Sequence, residues 1–116
     1  MIVEITPVVR NEIVNKLVGQ LTKKLIKVVL FGSYARGEAR LDSDVDIMAI
    51  VDLSDLRELR GIRNLIADIS LDLSLEHGID FCIILQSLDE LKIWNDVIPF
   101  YKNIEREGIV LYDRAA

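Results

Sequence analysis

The chain has 116 residues, of which 51% are hydrophobic, 28% charged and 6% aromatic, with a formal charge of −5. That apolar content excludes disorder, and the length suits one compact domain, residues 1–116, that buries enough surface to need no covalent staple. A single Cys82 and a single His77 exclude an intrachain disulfide, a cysteine-based zinc cage and a histidine-rich metal site, so any metal is expected on oxygen ligands. The longest apolar runs, Ile47–Val51 and Phe81–Leu85, are five residues each, against the ~20 that a membrane span requires. Met1-Ile2-Val3-Glu4 lacks the layout of a signal peptide, so a soluble, cytoplasmic chain with no membrane association is expected. Charge is unevenly spread. Residues 1–40 hold seven Lys/Arg and three Glu, whereas residues 41–116 hold seven Lys/Arg and sixteen Asp/Glu. An acidic chain of this kind is not expected to bind duplex nucleic acid stably.

In chain order, Thr6-Pro7 reads as a helix start, with Thr as N-cap and Pro at the first helical position. Val9, Ile13, Leu17 and Leu21 recur every four residues and predict an amphipathic helix over 7–23. Ile26 to Phe31 predicts a buried strand ending at Gly32, after which Gly32-Ser33 opens a short helix. Asp44 to Val51 predicts a second strand. Ser54-Asp55 caps a long helix striped by Leu59, Ile62, Ile66, Ile69 and Leu73 and closed by His77-Gly78. Leu71 to Leu75 alternates with period two, but it continues that stripe without a turn signal and is read as helix. Ile79 to Leu85 is a third strand, Ser87 to about Asn95 a short helix, Pro99 to Gly108 another, and Ile109 to Tyr112 a last strand. The order αβαβαβααβ predicts an α/β (α+β) domain with one mixed sheet covered by helices.

The chemistry concentrates in Phe31 to Asp46. Gly32 and Gly37 have the spacing of a P-loop, but Glu38-Ala39 stand where Lys and Ser/Thr are required; a dinucleotide glycine motif fails at Tyr34. Asp42, Asp44 and Asp46 imitate a calcium loop, yet Ile47 and Leu53 replace its glycine and its closing glutamate. Side chains alternate along a strand, so Asp44 and Asp46 share one face with Cα atoms about 6.5–7 Å apart, a conflict that a hard dication such as Mg²⁺ removes. Asp80 opens the third strand; if that strand lies beside the second, three carboxylates meet and suit a two-metal site. Gly32 and Ser33 at a helix start form a seat for phosphate oxygens. Arg36 would oppose the dipole of that helix and is better placed on a bound phosphate. His77 reads as a cation at a helix C-terminus, Cys82 as a small buried residue, and Trp94, Phe100 and Tyr101 as core rather than partner surface.

Gly32-Ser33, ten intervening residues and Asp44-Val45-Asp46 resemble the GSx10DxD signature of the polymerase-β-like nucleotidyltransferases. The stretch Gly32 to Ala39 is similar to their minimal nucleotidyltransferase (MNT) branch, and Pro99 to Tyr112 resembles the tails of MNT proteins. The resemblance implies Asp44, Asp46 and Asp80 as catalytic metal ligands for Mg²⁺, and Gly32, Ser33 and Arg36 as nucleotide-binding residues. It implies transfer of NMP, with ATP as the expected donor, to an acceptor hydroxyl. At this length the chain is expected not to carry its own acceptor-binding domain, and in MNT proteins the partner is often a HEPN toxin, modified on a tyrosine by its antitoxin. Two alternatives stay open: an antitoxin that acts by binding alone, and a small-molecule enzyme similar to the aminoglycoside nucleotidyltransferases. Self-association as a homo-oligomer is left open too.

Overall fold

The structure is a computed structural model that describes residues 3–53 and 55–115. Helix α1 spans Pro7–Leu21, and the Thr6 hydroxyl accepts from the Val9 amide at 3.3 Å. It ends two residues short of the expected 23: Thr22 takes a positive φ of 51°, and Thr22–Lys24 tighten into a 3₁₀ turn that feeds strand β1, Leu25–Phe31. Strand β2 is Val45–Val51, so Asp44 sits just before the strand rather than in it. Helix α2, Leu56–His77, is capped by Asp55, whose carboxylate accepts from the Arg57 amide at 2.8 Å; Ser54 lies outside the described residues. The ambiguous stretch at Leu71–Leu75 is helical, and Gly78 closes α2 in the left-handed conformation.

Strand β3 is Phe81–Ser87, shifted two residues beyond the expected span. Two serines of α2 set its start: Ser74 Oγ accepts from the Phe81 amide at 2.9 Å, and Ser70 Oγ donates to the Phe81 carbonyl. Its polar end is tolerated because buried Gln86 is satisfied, accepting from Tyr101 Oη at 2.8 Å and donating to Glu90 at 3.0 Å. Helices α3, Leu88–Trp94, and α4, Pro99–Glu107, then lead into β4, Ile109–Asp113.

The short helix expected after Gly32 does not form. The amides of Ala35 and Arg36 both bond the Gly32 carbonyl at 3.1 Å, and Glu38 N bonds Ser33 O at 2.9 Å, giving a compact turn. Gly32 and Gly37 bracket it with φ of 74° and 72°, and left-handed residues at both ends stop a right-handed helix from propagating. The element order is therefore αββαβααβ. The sheet is mixed as expected, in the order β3-β2-β1-β4, with β1 antiparallel to both β2 and β4 and β2 parallel to β3 through the α2 crossover.

Alternation sorts the strands into two faces. Val28, Leu30, Val45, Ile47, Ala49, Val51 and Phe81 pack against α1 and α2 in the main core. Val29, Met48 and Ile50 look the other way and meet Ile104 of α4 in a smaller cluster. Asp46 precedes Met48 on that second face, so the acidic residues emerge where helical cover is thin.

Candidate active site

The turn between β1 and β2 is anchored from beneath. Tyr34 and Ala39 are buried in the main core, and the Ala39 carbonyl accepts from the Val3 amide at 2.9 Å. Ser43 Oγ accepts from the Arg40 amide at 2.8 Å and turns the chain back into β2. These contacts fix the turn while leaving Gly32, Ser33 and Arg36 at least partly accessible.

Asp46 pairs with Phe31 on β1 and with Cys82 on β3. It is half-buried, and Gly32 packs directly on it: a Cβ built on Gly32 would lie 2.3 Å from Asp46 Oδ2. Glycine is thus required there twice over, by its positive φ and by the carboxylate against it. Burial raises the proton affinity of Asp46, the neighbouring Asp44 raises it further, and Arg36 partly offsets both. Burial, then Asp46 and Asp44, also push up the Cys82 thiol. Cys82 is exposed beside the carboxylates, not buried as the apolar run around it suggested, because the sheet is uncovered at this point.

Asp80 enters through its backbone. Its carbonyl accepts from the Val45 amide at 2.8 Å, so β3 does lie beside the acidic strand. The three carboxylates nonetheless do not close into one cluster. Among the described residues, the group of three such side chains whose ligand atoms lie within 4.8 Å of one another is Glu12, Glu76 and His77. There His77, the last residue of α2, sits 2.8 Å from Glu12 across the α1–α2 junction, which extends its expected role at the helix end. A hydrogen bond from Glu76 lowers the proton affinity of Glu12 and raises that of Glu76.

Arg36 is explained by carboxylates rather than by a helix dipole, since no helix is present. Its Nε donates to Glu38 at 3.1 Å and its Nη1 lies 3.8 Å from Glu107, the last residue of α4. Between the turn and α4 runs a cleft of about 250 Å³ whose walls include Phe31, Gly32, Arg36, Phe100, Asn103 and Glu107. Sequence reasoning missed this α4 wall. Phe100 and Trp94, expected in the core, are each 43% exposed; Tyr101 is half-buried.

The donor set fits a hard cation in part. Asp44 and Asp46 share one face by alternation, Asp44 adds to the charge cost of Asp46, and Gly32 leaves open the space that a side chain would fill. Gly32, Ser33, Arg36, Asp44 and Asp46 thus lie together where β1 ends and β2 begins, in the middle of the sheet. The family model for polymerase β-type nucleotidyltransferases matches residues 11–116, and the chain belongs to that family. It is 32% identical over 104 residues to a protein of Methanocaldococcus jannaschii, MJ0604, covering 88% of this chain and 93% of that one. A second protein of the same organism, MJ1305, is 32% identical over 105 residues, covering 90% and 69% respectively. Both are provisionally named protein adenylyltransferases. Among solved structures, a toxin–antitoxin complex with AMP-PNP is similar in fold, with TM-score 0.61, 20% identity, 90% of this chain and 73% of that chain covered. A tri-AMPylated Shewanella oneidensis HEPN toxin in complex with its MNT antitoxin gives TM-score 0.55, 18% identity and 91% and 71% coverage. No helix among the described residues is long and apolar enough to cross a membrane.

Proposed function

We propose that this chain is a metal-dependent protein adenylyltransferase that moves AMP from ATP onto a tyrosine hydroxyl of a HEPN-domain toxin and thereby acts as its antitoxin. The observation that supports the proposal is the contact between the two halves of the signature, Gly32 against Asp46 Oδ2. The provisional names of the archaeal relatives and the AMPylated toxin in a similar complex support the acceptor class.

Asp44 and Asp46 would hold Mg²⁺, with Asp80 as the third carboxylate of a two-metal arrangement; the metal would neutralise charge on the triphosphate and polarise the α-phosphate. Ser33 binds the β and γ phosphate oxygens, and Arg36 exchanges Glu107 for a phosphate oxygen of like charge and stronger hydrogen bonding. Held this way, the α-phosphorus faces the acceptor in line with the leaving pyrophosphate. The acceptor oxygen bonds phosphorus, the bond to the β-phosphate oxygen breaks with release of pyrophosphate, and the hydroxyl proton is lost to solvent.

ATP labelled at the α-phosphate, Mg²⁺ and a candidate HEPN-domain partner protein provide the test. The wild type transfers label to that protein, whereas Asp44→Asn and Asp46→Asn lose transfer by about 10³-fold or more. Full neutralisation of the toxin by the Asn variants, with no label transferred by the wild type, would replace the enzyme by a binding-only antitoxin.

A further inference from the structure

We propose that the cleft between the Gly32–Gly37 turn and α4 is the nucleobase subsite of this centre, with Phe100 as its stacking face and Asn103 as the side chain that reads a purine edge. The inference rests on the reading that the centre takes a nucleoside triphosphate.

Position comes first. Gly32 and Arg36 belong both to the cleft and to the surroundings of Asp46, so the cleft begins where the acidic pair ends. A nucleotide whose phosphates lie at the turn therefore has its base and sugar within reach of α4. Charge sets which end goes where. The turn supplies the cation, Arg36, while α4 supplies an aromatic ring, an amide and the Glu107 carboxylate. The α4 lining of the cleft offers a phosphate no cation, and an uncharged ring needs none.

The α4 wall also has free binding capacity. Phe100 is 43% exposed, lies perpendicular to Phe31 at 5.8 Å between centroids and is inclined at 70° to Tyr101 at 5.6 Å, so neither neighbour is stacked on it in parallel. An exposed ring held by two others is pre-organised, and base–aromatic stacking is sequence-tolerant and strong. Asn103, one turn further along the exposed side of α4, has its amide orientation fixed: Oδ1 accepts from Arg106 Nη2 at 2.7 Å, which leaves Nδ2 as the donor. A purine offers the larger π surface to Phe100 and, in N7, an acceptor on its outer edge for that donor.

Equilibrium binding in Mg²⁺, measured with ATP, GTP, UTP and inorganic tripolyphosphate, tests the assignment. The wild type binds the purine nucleotides roughly ten-fold or more tighter than tripolyphosphate, with UTP between them. Phe100→Leu, which keeps apolar bulk but loses the ring, brings ATP down to the level of tripolyphosphate; Phe100→Tyr retains the difference, and tripolyphosphate binds all variants equally. Asn103→Leu narrows the gap between purine and pyrimidine nucleotides. An unchanged ATP affinity in Phe100→Leu, an equal loss of ATP and tripolyphosphate, or a pyrimidine preference overturns the proposal. Wild-type protein that binds ATP no tighter than tripolyphosphate overturns the base subsite alone, whereas binding of neither overturns the nucleotidyl-transfer reading with it.

Discussion

The two faces of the sheet are built to different ends. On one, α1 and α2 seal a continuous core in which Ile13, Leu17, Leu25, Ile47 and Leu73 are almost fully buried. On the other, Val29, Met48, Ile50 and Ile104 form a small cluster, and α3 and α4 leave Ile93, Trp94, Val97 and Phe100 exposed. Two clefts of about 280 and 250 Å³ open on that side, the second beside the acidic pair. Folding free energy comes mainly from the sealed face, which lets the open face carry half-buried charge, left-handed glycines and uncovered aromatic rings.

Truncating each face in turn separates their contributions. Leu17→Ala on the sealed face should cost about 3–5 kcal/mol in chemical denaturation, and Ile104→Ala on the open face about 2 kcal/mol. A larger loss at Ile104 would show that the open face holds the fold together. Next in size is Gly32→Ala, which forces a Cβ into the left-handed region and against Asp46. A stability loss of about 1–2 kcal/mol is expected from the backbone, with activity down by roughly 10²-fold because the carboxylate must move. Wild-type activity in that variant would remove the contact on which the site is built.

The smallest effect concerns pH. The folded-state proton affinity of Asp46 is raised by burial and by Asp44, so its contribution to stability is present at low pH and lost as pH rises through the raised value. Asp46→Asn, inactive in transfer, should therefore be no less stable than the wild type at neutral pH and slightly more so. That difference should vanish below about pH 4, where both side chains are neutral. Thermal melts across that range measure it, and a variant less stable at pH 7 would contradict an Asp held at a cost for function.

Most of the fold was legible in the sequence because its signals are local. Thr6-Pro7, Asp55, Ser87 and Gly78 act at helix ends as their side chains and backbone freedom dictate, and the apolar runs mark the strands. The acidic pair and the glycine were legible through spacing. What stayed hidden depends on contacts distant in the chain or on satisfied polarity. The helix after Gly32 failed because two glycines, not one, adopt positive φ. β3 runs on through Gln86 and Ser87 because Tyr101 and Glu90 pair with Gln86, and Ser87 turns to cap α3. The cleft wall joins Phe31 to Phe100, a tertiary contact that no local pattern announces.

Transfer by the open face onto a partner is measured most directly by the intact mass of that partner. After co-expression with the wild type, the HEPN-domain protein should gain the mass of one or more AMP groups, and with Asp44→Asn or Asp46→Asn it should gain none. An unmodified partner that is still neutralised, by the wild type and both variants alike, would contradict the account.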